Sequence, residues 1–416
     1  MAQFEIKDGV AIIPDGTTEI EWGAFRNCSS LESVTIPNSV TEIGGYAFDS
    51  CTSLKSITIP NSVTYIGDNT FRDCRSLKSI IIPESITRIA ENAFYGCSEL
   101  ESVVIPNSVT EIGKNTFRAC FSLKSITIPK SVTKIGALAF NVCTSLESIV
   151  IPESVTKIDD GAFSACKSLK SITIPESVKA IGEGAFSGCS SLKSITIPGS
   201  VGTIRYQTFA RCTSLEDVVM SKGVKKIGYE AFEGCTSLKS ISVPMSVKEI
   251  DDNAFVNCTS LESIVLPKVK KIGHSAFDGC TSLESIRIVD SATKISPRAF
   301  RGCISLKNIT IPNSVTEISA NAFEGCTSLE SITIPKLVTE IGENTFIGCA
   351  SLTSITLPES LVWISKSTFF YDRNGTYLVL TAINVPVVKA DFYKKRLPEE
   401  LHDKIVELAP EKNTQK

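Results

Sequence analysis

Hydrophobic and polar residues alternate in a short stretch that recurs along most of the chain. In residues 54–60, which read LKSITIP, the two isoleucines fall on one side, and the serine and threonine that alternate with them fall on the other. A period of two with β-branched residues predicts a β-strand. Pro60 ends this strand, because proline has no N–H to donate to a neighbouring strand.

A second apolar segment follows each strand. Residues 63–66 (VTYI) are again extended, and Gly67 then lets the chain turn. The next segment, residues 69–74 (NTFRDC), is too short for an ordinary helix. It predicts a single helical or 3-10 turn that places Phe71 and Cys74 in the core.

The whole unit repeats with a fixed period. The 15 cysteines lie 23 residues apart, with one step of 22 between Cys258 and Cys280, and each has a Phe three residues before it and a Leu three residues after it. The short step coincides with a loop, residues 267–269, that has one residue fewer than residues 244–247. One unit cannot bury its apolar side chains alone, so the period predicts a solenoid of parallel stacked coils.

The repeat resembles a known family. Residues 123–145 follow the pattern L-x-x-I-x-I-P-x-S-V-x-x-I-G-x-x-A-F-x-x-C-x-S, and similar copies run from about 10 to 380. This spacing resembles the BspA-like (Treponema pallidum type) leucine-rich repeats. The resemblance implies a right-handed curved superhelix of the β-rich α/β class, with one long parallel sheet, short second strands and single helical or 3-10 turns. It also implies a bacterial or protozoan surface protein that adheres to host or matrix proteins.

The two ends of the chain differ from the array. Residues 1–23 predict an N-terminal hairpin cap, turning at Asp8-Gly9, and a first partial repeat. Residues 24–371 are predicted to form the repeat array. Residues 372–416 predict a degenerate last repeat with a strand at 376–381, a capping helix opened by Pro398 and a frayed tail. Leucine and isoleucine at steps of about four, over residues 397–408, favour a helix that covers the end of the sheet; docking of a partner is the alternative.

Charge and hydropathy narrow the class of partner. The formal net charge is −3, so no bulk positive field gathers phosphates, and nucleic acid is not an expected partner. No apolar run is long enough to cross a bilayer.

The first residues carry no signal peptide, and many free cysteines favour a reducing compartment. We therefore expect a cytoplasmic chain as written, or a surface or secreted one if a signal peptide has been removed.

Catalytic or metal chemistry is not expected. Each coil contributes one cysteine to a row, whereas a metal site needs ligands that converge on one point. The chain has only His274 and His402, and neither belongs to a recognisable set of nucleophile, base and acid. We expect no catalytic, metal-binding or cofactor-binding residues, and no cofactor. The buried thiols are interpreted as small apolar residues.

Binding by the outward side of the strands is the main functional hypothesis. It describes a non-enzymatic protein-binding scaffold, favoured as a monomer, with a protein ligand at the concave face; solvated decoration, a surface adhesin and a structural spacer are the alternatives. A second column, from Glu42 to Trp363, is basic in its middle and either docks an acidic partner or is merely solvated. The candidate concave-face residues are Lys124, Ser125, Thr127, Glu147, Ser148, Lys170, Ser171, Thr173, Lys193, Ser194, Thr196, Glu216 and Lys239.

Overall fold

The computed structural model describes residues 4–289, 291–371, 378 and 380–409. The chain divides into two compact units, Met1–Leu215 and Glu216–Lys416. Each unit is a β-solenoid in which most coils carry a first strand, a second strand and a series of turns. In the coil of Ser79–Ile81 the second strand is reduced to a single bridge between Ile89 and Ile112. This architecture confirms the predicted leucine-rich-repeat solenoid.

The first unit opens with the antiparallel strand Ile6–Lys7 and continues with parallel coils. Its first strands are Val10–Ile12, Ser33–Thr35, Ser56–Ile57, Ser79–Ile81, Ser102–Val104, Ser125–Thr127, Ser148–Val150, Ser171–Thr173 and Ser194–Ile197. Its second strands are Glu19–Ile20, Glu42–Ile43, Tyr65–Ile66, Glu111–Ile112, Lys134–Ile135, Lys157–Ile158, Ala180–Ile181 and Thr203–Ile204.

The second unit repeats this plan and ends in short helices. Its first strands are Asp217–Met220, Ser240–Ser242, Ser263–Leu266, Ser285–Ile288, Asn308–Thr310, Ser331–Thr333, Ser354–Thr356, Ala382–Pro386 and Ile405–Leu408. Its second strands are Lys226–Ile227, Glu249–Ile250, Lys271–Ile272, Lys294–Ile295, Glu317–Ile318, Glu340–Ile341 and Trp363–Ile364. Its helices are the 3-10 segments Lys366–Phe369, Val387–Lys389 and Glu399–Lys404 and the α-helix Ala390–Lys394.

Neighbouring coils pair without any shift of register. Ser125 lies opposite Ser148 and Ile126 opposite Ile149 in the first strands. The turns join the coils as well, since the N–H of Phe163 donates to the carbonyl of Ala185 over 2.8 Å. Equivalent residues therefore form columns, and a slip of one residue would turn the apolar positions of a strand outward.

The core is a set of such columns. The phenylalanine rings stack, with centroids 5.3 Å apart and planes within 4° between Phe140 and Phe163. Cys166, Leu169 and Ile172 of the same coil are buried beside them. A single coil would expose all these side chains, so the burial depends on the neighbouring coils.

The segments that contain the stacked phenylalanines are hydrogen-bonded turns in most coils. The segment Lys366–Phe369 is a 3-10 helix. Bonds from one residue to the third one before it are present, as from the N–H of Cys51 to the carbonyl of Phe48 at 3.1 Å. A left-handed residue interrupts them on either side, for example Asn69 (φ 59°) and Asp73 (φ 53°). Such residues cannot continue a right-handed helix, which limits each segment to separate turns.

The N-terminal hairpin is present as predicted. Ile6–Lys7 pairs antiparallel with Val10–Ile12 through a two-residue turn. Asp8 (φ 51°) and Gly9 (φ 78°) both have positive φ, as a hairpin turn of this length requires. The boundaries assigned to the caps and the array stay predictions.

The C-terminal strand and helix predictions are wrong in position. Of the predicted strand 376–381, residues 376, 377 and 379 lie outside the described residues, and the strand that pairs with Ser354–Thr356 is Ala382–Pro386. The predicted helix over residues 397–408 is instead the 3-10 segment Glu399–Lys404 and the strand Ile405–Leu408, and the short α-helix lies earlier, at Ala390–Lys394. Ile405–Leu408 forms a strand because its backbone pairs in parallel with Ala382–Pro386. The spacing of apolar residues at steps of about four does not contain this tertiary pairing, which overrides the local preference for a helix.

Candidate functional site

The candidate site is the exposed face of the first strands. Ile126 points inward, while Ser125 and Thr127 on either side of it are exposed. The same alternation holds in every coil that the candidate residues occupy. All the predicted face residues are exposed, and they lie in the first unit except Glu216 and Lys239, which belong to the second.

The charged column beside this face forms ion pairs between coils. Lys55 Nζ lies 2.7 Å from Glu32 Oε2, and Lys170 Nζ lies 2.8 Å from Glu147 Oε2. The hydrogen bond from Lys170 lowers the pKa of the Glu147 carboxyl. Where residues of opposite sign meet in this column, one strand apart, they therefore attract each other.

The second column is also paired, which changes its interpretation. Lys134 Nζ lies 2.9 Å from Glu111 Oε1, and Lys157 Nζ lies 2.6 Å from Asp159 Oδ1. Asp159 stands where many coils have glycine after the isoleucine, and a second such aspartate, Asp251, pairs with Lys226 at 2.8 Å. These aspartates neutralise part of the basic run. The sequence contained the signal for this pairing, because each aspartate lies two residues after a position of the second column. The interpretation of the second column from sequence did not include these neighbouring aspartates.

Except for Cys28, the thiols are buried, and they act as donors that link consecutive coils. Cys166 Sγ lies 3.1 Å from the carbonyl oxygen of Phe140 in the preceding coil, and Cys189 Sγ lies 3.2 Å from that of Phe163. Burial raises the pKa of the Cys189 thiol to about 12. A thiol in this environment stays protonated at neutral pH and is a poor nucleophile or metal ligand. In the described part of the chain, no three Cys, His, Asp or Glu side chains converge as a metal site would require.

A column of loop serines makes a similar link that the sequence did not predict. The Ser154 hydroxyl donates to the carbonyl of Val132 over 2.6 Å, and the Ser177 hydroxyl to that of Val155 over 2.8 Å. The serine of the repeated P-x-S-V segment was the available signal. These bonds satisfy loop carbonyls and link neighbouring coils.

The described residues contain no helix with the length and apolar character of a membrane span. The geometry thus presents a rigid, hydroxyl-rich face flanked by paired charges. Such a surface offers donors and acceptors to a ligand without requiring the backbone to rearrange.

Comparison with known proteins agrees with the fold. The sequence profile of the BspA type leucine rich repeat region matches residues 18–147, 133–262 and 248–376. A leucine-rich repeat protein from Bacteroides ovatus is 31% identical, with a TM-score of 0.73, over 96% of this chain and 94% of that chain. A leucine rich cell surface protein from Faecalibacterium prausnitzii is 32% identical, with a TM-score of 0.50, over 86% and 92% of the two chains.

A leucine-rich repeat protein from Eubacterium ventriosum is 24% identical, with a TM-score of 0.52, over 89% of this chain and 96% of that chain, and supports the fold alone. No curated protein matches the sequence. The profile covers most of the chain, and the repeat spacing, the stacked phenylalanines and the parallel first strands agree with it. The chain belongs to the family of BspA-type leucine-rich repeat proteins.

Proposed function

We propose that this protein is a non-enzymatic scaffold that binds a protein ligand through the exposed face of its first strands. The observation that carries the proposal is the regular outward alternation of the strands. Thr127, Thr173 and Thr196 present side chains at equivalent positions, while the isoleucines between them are buried. Because the neighbouring strands fix the backbone, a ligand would meet these groups already in place, at a small entropic cost.

The paired charges indicate the kind of ligand. Both charged columns contain acids and bases that neutralise each other, as in the pairs Glu147–Lys170 and Glu111–Lys134. A nucleic acid would need a continuous basic surface, which alternating pairs do not provide. A folded protein surface with mixed polar groups fits better. The protein acts as a monomer in this proposal.

A surface adhesin is the second candidate. It is favoured by the relative from F. prausnitzii, which is described as a cell surface protein. The free thiols are compatible with such a location, because buried, protonated cysteines such as Cys189 resist oxidation. In this version the coils mainly provide length, and adhesion falls in proportion to the coils removed.

The experiment compares two triple variants of the full chain. In one, Thr127, Thr173 and Thr196 on the strand face are changed to Arg. In the control, exposed threonines just before the second strands receive the same change: Thr110, Thr133 and Thr156. Proteins of the native host are captured on each variant and quantified, and circular dichroism checks the folding.

The proposal expects the face variant to lose its specific partner and the control to retain it. Equal recovery of the same partners by the wild type and the face variant would contradict binding at this face. If the protein is a surface adhesin whose coils mainly provide length, neither triple variant reduces the adhesion of cells. Deletion of whole coils then reduces adhesion in steps.

A further inference from the structure

One row of loop residues changes character in three consecutive coils of the second unit. The residue after the strand-ending proline is mainly Asn or Glu in the first unit, as at Asn107, Glu153 and Glu176. In the second unit, the row formed by Lys222, Met245 and Lys268 places an apolar side chain between two bases in consecutive coils. All three residues of this Lys222–Met245–Lys268 row are exposed.

An open cavity of about 810 Å³ lies beside this row. Its lining includes Lys222, Met245 and Val265, together with Val243 and Pro267. Met245 is 57% exposed and Val265 is 52% exposed, so two apolar side chains face solvent at its rim. A volume of this size accommodates one or two large side chains of a ligand.

The cavity lies where the repeat has lost one residue. The loop Pro267-Lys268-Val269 is one residue shorter than Pro244-Met245-Ser246-Val247, and Lys268 adopts a left-handed φ of 48° to close it. The strands on both sides stay in register, with Ile264 opposite Ile286. The deletion therefore changes the loop edge without disturbing the strand face.

A hydrogen bond holds the apolar wall of the cavity. Lys248 Nζ donates to the carbonyl of Met245 over 2.8 Å, which fixes the backbone of the longer loop. Met245 is thus presented from an ordered segment, and its exposure costs stability that a ligand could recover by covering it.

The charge around the cavity is positive at the loop edge. Within the described ranges, Lys222, Lys268 and Arg287 have no ion-pair partner, whereas Lys55, Lys170 and Lys226 of the charged columns do. Arg287 lies directly across from Val265 on the neighbouring strand. The exposed acids Asp217 and Glu262 lie at or before the first residue of their strands, at the opposite end from the loops. Unpaired bases beside an apolar cavity raise the local concentration of an acidic ligand.

We propose that this cavity binds an acidic segment of a partner protein. An aliphatic or aromatic side chain of the segment fills the space between Met245 and Val265, and carboxylates on either side of it meet Lys222 and Lys268. The inference rests on the proposed function and specifies the chemistry of its partner. It concerns the second unit alone, whereas the threonine variants described above test the face of the first unit.

The test selects peptides from a random library displayed on phage, using the immobilised full chain. The expected product is a set of sequences with one or two large apolar residues flanked by Asp or Glu. A selected peptide is then labelled with fluorescein, and its affinity is measured by fluorescence anisotropy. Raising the salt concentration to about 0.5 M weakens binding, because the ion pairs are solvent-accessible.

Two double variants give a matched comparison. Lys222→Glu with Lys268→Glu reverses the charge at the cavity and lowers the affinity by about tenfold or more. The control, Lys130→Glu with Lys336→Glu, changes the same loop position in other coils by the same net charge and leaves the affinity unchanged. Met245→Ala weakens binding by up to about tenfold through the lost apolar contact.

The proposal is overturned if selection enriches no acidic and apolar sequences, or if the two double variants bind the peptide equally. It is also overturned if a peptide with glycine at its apolar positions binds as well as the parent, since the cavity would then be unused. Failure here, with the threonine variants still losing the native partner, would leave the proposed function standing.

Discussion

The inward and outward side chains of the same strands differ in how strongly packing restricts them. Across three coils the inward residues are Ile126, Ile149 and Ile172, whereas the outward residue changes from Thr127 to Val150 and back to threonine. Each inward side chain must fit the coils before and after it, so its volume is fixed by packing. The outward side chains meet solvent and are free to vary. Under the proposed function, departures from the outward pattern carry the information about a ligand, whereas departures from the inward pattern affect stability.

The largest expected effect is loss of an inward aromatic ring. Phe163 is fully buried, with its ring stacked between Phe140 and Phe186. Phe163→Ala leaves a cavity in this column and lowers the free energy of unfolding by about 3–5 kcal/mol. Guanidinium denaturation followed by circular dichroism measures it.

Thr173→Ala is the control for the same coil on the outward side, with an expected change below about 0.5 kcal/mol. Comparable losses of unfolding free energy for the two variants would contradict the difference between the two sides, since the outward side chains would then also contribute to packing. A small loss for Phe163→Ala alone would mean that the coils collapse around the missing ring.

The thiol column predicts a dependence on alkaline pH. Burial raises the pKa of Cys189 from its ordinary value of 9.0 to about 12, because the thiolate would be desolvated. A raised folded-state pKa stabilises the fold below pH 9.0, and this contribution is lost as the pH rises towards 12. The loss is about 1.4 kcal/mol per pH unit for one thiol.

Cys189→Ala separates this effect from other titrations. At pH 8 the variant is less stable than the wild type, because it lacks the packing of the sulfur and the bond to the Phe163 carbonyl. Between pH 9 and 11 the difference in stability between the two proteins shrinks, because only the wild type loses stability through the raised pKa of Cys189. A difference in melting temperature that stays constant over this range would contradict a desolvated thiol.

The sequence predicted most of the inward columns and less of what joins them. Period, strand and hairpin follow from local spacing, so Ile126 and the Asp8-Gly9 turn were correctly placed. The bonds from Cys166 and Ser154 to carbonyls of the preceding coil depend on the three-dimensional offset between coils, which a single repeat does not reveal.

The end of the array shows a different limit. Leu378 and Leu380 match the repeat spacing and are buried, yet the strand paired with Ser354–Thr356 is Ala382–Pro386. Local pattern could not distinguish these two apolar segments, because pairing with the preceding coil decides between them. For the candidate face, the sequence predicted exposure and charge, and the loop cavity beside Met245 required the structure.

The smallest expected effect comes from the outward ion pairs. Lys55 and Glu32 lie 2.7 Å apart with both side chains more than half exposed. Solvent screens such a pair and its long side chains lose rotamer freedom, so the coupling free energy in a double-mutant cycle with Lys55→Ala and Glu32→Ala is about 0.2–1 kcal/mol. Denaturation at low and high salt measures it, and the coupling falls as salt rises. A coupling as large as the loss in Phe163→Ala would mean that the charged column holds the coils together. The small value expected instead leaves this column free to exchange its internal partners for those of a ligand at little cost to the fold.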